Sequence, residues 1–218
     1  MEFWTKFKQL QISKVCCEYL FSSYISSFFK GNSNQRLATV RAGNVIGGGD
    51  YSEDRLIPDI YASAIKTKKI ILRNPQSVRP WQHVLEPLSG YISLSIALSQ
   101  NKKLNGEAFN FGPPSYQNHT VKELVDEIIT HWKGAEWLNK SKENNTPKEA
   151  GLLKLNCDKA LHSFGWKATL NFKEKAKWTG EWYKTFYEDG PEAASLKTQN
   201  QIKDYMEIAT KRNTFKLY

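Results

Sequence analysis

The chain has 218 residues, 40% of them hydrophobic and 13% aromatic, which suffices for one good core or a core with a small subdomain and excludes a disordered chain. Lys and Arg number 31 against 22 Asp and Glu, a net charge of +9 that suits an anionic partner. The basic residues are nevertheless scattered, with no block of five or six like charges and no aromatics interleaved with a basic groove, so no nucleic acid is expected as partner.

In chain order, Ile12 to Phe29 reads as a helix and Leu37 to Arg41 as a strand. Ile57 to Thr67 follows as a helix with Pro58 in its first turn, then Ile70 to Leu72 as a strand and a loop through Asn74-Pro75 and Arg79-Pro80. Trp81 and His83 alternate with Gln82 and Val84 as in a short strand. Pro87 to Ser99 is a helix, and Ala108 to Phe111 a strand closed by Gly112-Pro-Pro. Thr120 with Glu123 three residues later forms a capping box, opening a helix that runs to Trp132. Trp137 to Lys148 is polar and reads as loop, and helices over Asp158 to Phe164, Phe172 to Asp189 and Lys197 to Arg212 complete the chain. This alternation predicts an α/β architecture.

Cys16, Cys17 and Cys157 supply neither a disulfide framework nor a zinc pattern; no metal is expected, and a reducing cytoplasm is. No stretch approaches the length of a membrane span, and the Val15 to Phe29 run is interrupted by Glu18 and several serines, so no membrane contact is expected.

Two segments carry chemistry. The run Leu37 to Asp50 is a β-branched strand ending in Arg41, Asn44 and the glycines Gly47 to Gly49, as a buried parallel strand delivers its C-terminal edge to a ligand. Glycines there let backbone approach a bulky anion, while Arg41 and Asn44 offer charge and hydrogen bonds; the alternative is a flexible turn. The spacing is neither that of a phosphate-binding loop nor that of a dinucleotide fingerprint. In the second segment Arg73 and Arg79 flank a turn, so two guanidinium groups can converge on a phosphate, or else remain solvated. His83 is a hydrogen-bonded structural residue or a catalyst.

Arg41-Ala-Gly-Asn44-Val-Ile-Gly-Gly-Gly-Asp50, Glu53-Asp-Arg-Leu-Ile-Pro-Asp59, Arg73-Asn-Pro75 and Arg79-Pro-Trp-Gln-His-Val-Leu-Glu-Pro-Leu-Ser-Gly-Tyr91 together resemble the CDP-glucose 4,6-dehydratase family of extended short-chain dehydrogenases/reductases. The resemblance continues through Phe109-Asn-Phe-Gly-Pro113, Leu153-Lys-Leu155, Gly165-Trp166 and Glu181-Trp-Tyr183, from Ile12 onward. It implies the C-terminal part of a Rossmann fold with its nucleotide-sugar-binding subdomain: residues 1–50 a remnant of the dinucleotide-binding domain, residues 51–218 mainly sugar-nucleotide region, with 87–111 returning to the Rossmann part. It also implies NAD as cofactor and a nucleotide sugar as substrate. The nicotinamide oxidises C4, water is lost across C5 and C6, and the hydride returns to C6.

By the same resemblance Asn44 and Arg79 hold the diphosphate, Arg55 and Leu56 lie beside the nucleotide, and Arg73 and His83 complete the substrate-binding set. Lys14 is the catalytic and cofactor-binding lysine of the family's Tyr-x-x-x-Lys motif, and Arg41 a second cofactor contact. The tyrosine position holds Leu10, and the glycine fingerprint is missing. Met1 to Gln11 does not resemble the family, which implies a chain begun within a longer ancestral frame. The expectation is a chain inactive alone, homodimeric in its full-length form or completed by a separate cofactor-binding half. The alternatives are a non-catalytic sugar-nucleotide-binding remnant or another nucleotide-sugar epimerase or dehydratase.

Overall fold

The computed structural model describes residues 2–29, 34–52, 55–66, 69–132, 135–139 and 151–214, with side chains from residue 12 onward. The elements are α1 (Glu2–Phe28), β1 (Thr39–Ala42), β2 (Asn44–Ile46), α2 (Leu56–Lys66), β3 (Lys69–Leu72), β4 (Val78–Arg79), β5 (Trp81–His83), α3 (Leu85–Gln100), β6 (Ala108–Phe111), β7 (His119–Thr120), α4 (Val121–Ile129), β8 (Glu136–Asn139), α5 (Asp158–Phe164), α6 (Phe172–Asp189) and α7 (Pro191–Lys211). The side chain of Leu10, and Glu53 and Asp54, lie outside the described residues.

Three strand pairs are parallel: β1 with β6, β2 with β5, and β3 with β8. The fourth, β4 with β7, is antiparallel. β8 falls where the sequence reads as loop, because four residues bounded by polar stretches show no alternation; it is fixed instead by β3 and by the Trp137 indole donating to Asp126 at 2.7 Å. The capping box forms as expected, with Thr120 Oγ1 accepting from Glu123 N at 3.1 Å.

Among the described residues there are three apolar clusters, of which the smallest joins Leu170 to Tyr205 and Ala209 of α7 and the other two organise the strands. One gathers α2, β3, α4 and α6 around Tyr61, Leu72, Leu124 and Tyr183, the two tyrosine rings stacked 4.1 Å apart. The other packs Phe109 and Phe111 of β6 against α3, α5 and Trp166. Gly90 on α3 permits that contact, since a Cβ there would stand 2.2 Å from the Phe111 ring.

α1 is thinly attached. Ile25 is buried against Gly106, and Glu18 grips Arg41, but Ile12, Val15, Tyr19, Leu20, Tyr24 and Phe28 are all more than half exposed. β1 is partnered by β6 along one edge, and among the described residues no strand pairs with the other. Both faces of this strand would be buried in a sheet interior, yet Val40 is 40% exposed. Among the described residues no helix is long and apolar enough to cross a membrane.

Candidate functional site

β1 and β2 are successive pieces of one extended run that changes partners at Gly43. Gly43 N donates to the Phe111 carbonyl and Asn44 N to the Pro80 carbonyl, each at 3.0 Å. A Cβ at Gly43 would lie 2.6 Å from the Pro80 oxygen, so a side chain at this position would force the strands apart. The crossing sets Asn44 opposite Trp81 and beside the Arg79-Pro80 segment. Arg79 is half-buried, its Nη1 donating to the Val78 carbonyl at 2.9 Å while its backbone pairs with His119. Asn44, on β2, and Arg79, on β4, the two residues expected to share one diphosphate, are thus linked through Pro80, which follows β4 and accepts from Asn44 N.

Arg73 is exposed at the end of β3, where a turn closed by Ser77 N donating to the Asn74 carbonyl leads to Arg79. Arg55 is exposed at the entry to α2, with half-buried Leu56 after it packed on the core. The Ser52 N–H, donating to Asp50 at 3.0 Å, holds the Asp50 carboxyl below the usual carboxylate range, with the Arg55 charge adding to that effect. Asp50 and Ser52, just after the glycines, are thus tied by a local polar contact.

The glycine turn serves packing. A Cβ at Gly48 would stand 1.9 Å from the Trp182 indole of α6, and one at Gly47 would stand 2.9 Å from Val84. Gly49, at φ +83°, supplies the left-handed residue of the turn. The Trp182 ring is held by its Nε1 donating to Thr198 Oγ1 at 2.7 Å and by Phe186, stacked at 5.6 Å. An anion cradled by Gly48, as the sequence suggests, would need the space this indole fills.

His83 lies in the interior rather than on an open substrate surface, at 2% exposed. Its Nδ1 accepts from Leu85 N at 3.4 Å, its ring meets Trp178 edge to face at 5.7 Å, and its Nε2 is buried without a hydrogen-bond partner. Burial, reinforced by the Lys175 charge, lowers its pKa to about 4, so the ring is neutral near pH 7. Sequence reading missed what surrounds it. Lys175 is 1% exposed and donates to Gln117 at 3.3 Å, its pKa lowered by burial. Glu86 is fully buried and accepts from Thr169 N, Leu170 N and the Tyr205 hydroxyl, at 2.6 to 3.0 Å. Burial raises the Glu86 pKa against the opposing pull of these donors. Tyr205 continues to Ser89 Oγ at 2.9 Å, which accepts from the Trp166 indole at 3.1 Å. Helical spacing offers the signal for Lys175, which shares a face with Ala176, Thr179, Gly180 and Tyr183.

Lys14 and Arg41 are not brought to Arg79. Lys14 is exposed on α1. Arg41 makes a two-pronged contact with Glu18, Nε to Oε1 at 2.8 Å and Nη2 to Oε2 at 2.7 Å, and donates to Asn110 at 3.2 Å. The guanidinium expected on the cofactor instead ties α1 to β1 and β6. The described residues, with Gly48 covered by Trp182 and Arg41 engaged, form no dinucleotide cradle. Among them no group of His, Cys, Asp and Glu could hold a metal ion.

Over 204 residues, 91% of its length, the chain is 42% identical to the CDP-glucose 4,6-dehydratase of Salmonella typhimurium. This chain is related to CDP-glucose 4,6-dehydratase. It spans 56% of that relative. Two solved structures show the same α/β fold, that of the extended short-chain dehydrogenase/reductase epimerases and dehydratases. The dTDP-glucose 4,6-dehydratase of Bacillus anthracis, in complex with NAD, superposes with a TM-score of 0.60 at 23% identity, matching 81% of this chain and 52% of that one. The UDP-glucuronic acid 4-epimerase of Bacillus cereus, with UDP-glucuronic acid and NAD, gives 0.64 at 16% identity over 81% and 52% of the two chains. No family model matches the sequence.

Proposed function

We propose that this chain is the nucleotide-sugar-binding part of a CDP-glucose 4,6-dehydratase-type enzyme and carries no dehydratase activity by itself. The observation that carries the reading is the crossing at Gly43, which bonds Asn44, at the start of parallel strand β2, to Pro80, the residue after Arg79. An amide and a guanidinium in that relation suit the two phosphates of a sugar nucleotide, Arg79 supplying a charge-assisted contact and Asn44 a neutral one. Arg55 and Leu56, at the entry to α2, take the nucleoside side, with Arg73 at the far end of the turn leading to Arg79. His83, paired with Ile46 at the other end of β2, is buried and takes a structural part. NAD, present in the two solved relatives, would supply hydride transfer; the described residues do not fit it, and Leu10 cannot move a proton, so the chemistry requires groups beyond them. The proposed division, with 1–50 and 87–111 in the Rossmann part and the remainder mainly sugar-nucleotide region, is supported by β6 pairing with β1.

Calorimetric titration with CDP-glucose tests the reading. Losing a charge-assisted contact costs about 1.5 to 3 kcal/mol, so Arg79→Ala should weaken binding roughly ten- to a hundredfold. Lys102→Ala should leave it unchanged. Equal effects from both, or formation of the 4-keto-6-deoxy product by the chain with NAD alone, would overturn the proposal.

A further inference from the structure

The loop Gly112 to Asn118 joins β6 to β7, and both of its ends are fixed next to the residues proposed for the diphosphate. At the entry, the Phe111 carbonyl accepts from Gln82 Nε2 at 2.9 Å and from Gly43 N at 3.0 Å, and Gly43 immediately precedes Asn44. At the exit, His119 pairs with Arg79, and the His119 carbonyl accepts from the Trp81 indole at 3.2 Å. Just beyond, Val121 N donates to the Ser77 carbonyl and Lys122 N to the Pro75 carbonyl, each at 2.9 Å. The loop therefore runs into α4 alongside the turn that separates Arg73 from Arg79.

The loop is also held from within. Pro113 is buried, Gln117 N closes a turn on the Pro114 carbonyl at 2.9 Å, and Gln117 Oε1 accepts from the buried Lys175 ammonium at 3.3 Å. Asn118 Nδ2 donates to the Tyr116 carbonyl at 3.3 Å. With Gln117 drawn inward, Tyr116 is left facing out: at 78% it is the most exposed large apolar side chain among the described residues. One exposed tyrosine is ordinary on a protein surface. A tyrosine on a loop braced at both ends and at Gln117, between the neighbours of Asn44 and Arg79, is a contact ordered in advance of its ligand.

We infer that Tyr116 is a specificity residue of the sugar-nucleotide site and offers its ring face to the base of the nucleotide. The inference rests on the functional reading above and adds a stacking surface to the nucleoside side, assigned there to Arg55 and Leu56. A diphosphate at Asn44 and Arg79 is flanked by a planar base and a hexose. Two flat groups select the base: the Tyr116 ring, and the guanidinium of Arg73, exposed at the end of β3 on the adjoining turn. Ser115 and the amide oxygen of Asn118, exposed beside the ring, can meet the polar edge of a stacked base. The loop carries no charge, so its selectivity comes from shape and stacking while Arg79 supplies the attraction for phosphate.

Saturation-transfer NMR and calorimetric titration of the full chain with CDP-glucose, CDP and glucose 1-phosphate test the assignment. In the unaltered protein, saturation should pass most strongly to H5 and H6 of cytosine. Tyr116→Ala should abolish that preference and weaken CDP-glucose and CDP alike by roughly five- to a hundredfold, the range for losing one base stacked on an aromatic ring. Tyr116→Phe keeps the ring face and should bind as the unaltered protein does. Glucose 1-phosphate should behave identically with all three proteins, and their thermal transitions should coincide, because the side chain is exposed. Unchanged CDP-glucose affinity in Tyr116→Ala, beside a loss in Arg79→Ala, overturns the inference and leaves the functional reading standing. An equal loss for glucose 1-phosphate also overturns it, since the ring would then lie against the hexose. An Arg79→Ala protein that binds CDP-glucose as tightly as before strikes the functional reading instead, and this inference with it.

Discussion

Replacing Gly48 with alanine separates the packing role of the glycine turn from a ligand-cradling one. The added methyl would stand 1.9 Å from Cδ2 of Trp182 and 2.3 Å from both Cε2 and Cγ. The indole has little room to retreat, being hydrogen-bonded to Thr198, stacked on Phe186 and edge-on to Tyr183 at 5.2 Å. Overpacking a held side chain costs about 1 to 3 kcal/mol, and the fixed ring places this case at the upper end, near 3 kcal/mol. For a chain of this size that lowers Tm by roughly 6 to 12 °C. Trp182→Ala alone should cost about 2 to 3 kcal/mol from lost aromatic burial. In the double variant the methyl enters the vacated space, so Gly48→Ala then adds less than about 1 kcal/mol and the two substitutions couple by about 2 kcal/mol. Urea denaturation followed by far-UV circular dichroism measures all four proteins without relying on the altered tryptophan signal. Additive losses would refute the argument. So would a Gly48→Ala protein of unchanged stability that no longer binds CDP-glucose, which would return the glycine to the ligand.

His83 predicts a pH dependence with a definite sign. The unfolded chain binds a proton below about pH 6.5 that the folded chain refuses until about pH 4, so stability falls as pH drops across that window, by about 3 kcal/mol in all. His83→Gln should flatten that part of the profile in urea titrations at pH 7, 5.5 and 4.5, and an unchanged slope would show the ring is not the titrating group. Glu86→Gln places an amide N–H against the Thr169 or Leu170 donors and should cost about 2 to 4 kcal/mol, whereas Tyr205→Phe should cost about 1 kcal/mol. The reverse order by denaturant titration would remove the carboxylate from the centre of that network.

What the sequence revealed and what it hid follow one physical division. Helices with strong local signals were legible: α5 and α6 match their expected bounds, and the Thr120 and Glu123 capping box appears as read. β8 was not, since its four residues acquire strand geometry only from pairing with β3. The family pattern groups Asn44 with Arg79, and what the backbone shows at the Gly43 crossing is Asn44 bonded to Pro80, the residue after Arg79. The contacts of Gly48 and Arg41 were not legible because a glycine or arginine carries no local mark of a distant partner; Trp182 lies 134 residues from Gly48, and Asn110 69 from Arg41. Lys175 was hidden for a related reason, its charge pointing toward solvent by type while its helical position points inward.

The link from Tyr205 to Glu86 and Ser89 also bears on how the chain is made. These partners are 119 and 116 residues apart, so α3 emerges from the ribosome long before the helix that completes its polar contacts. At about 5 to 20 residues per second, the Glu86 carboxylate waits roughly 6 to 24 s for its tyrosine. Until α7 is made Glu86 and Ser89 lack this hydroxyl partner, so the polar network of α3 is completed only when α7 packs on it.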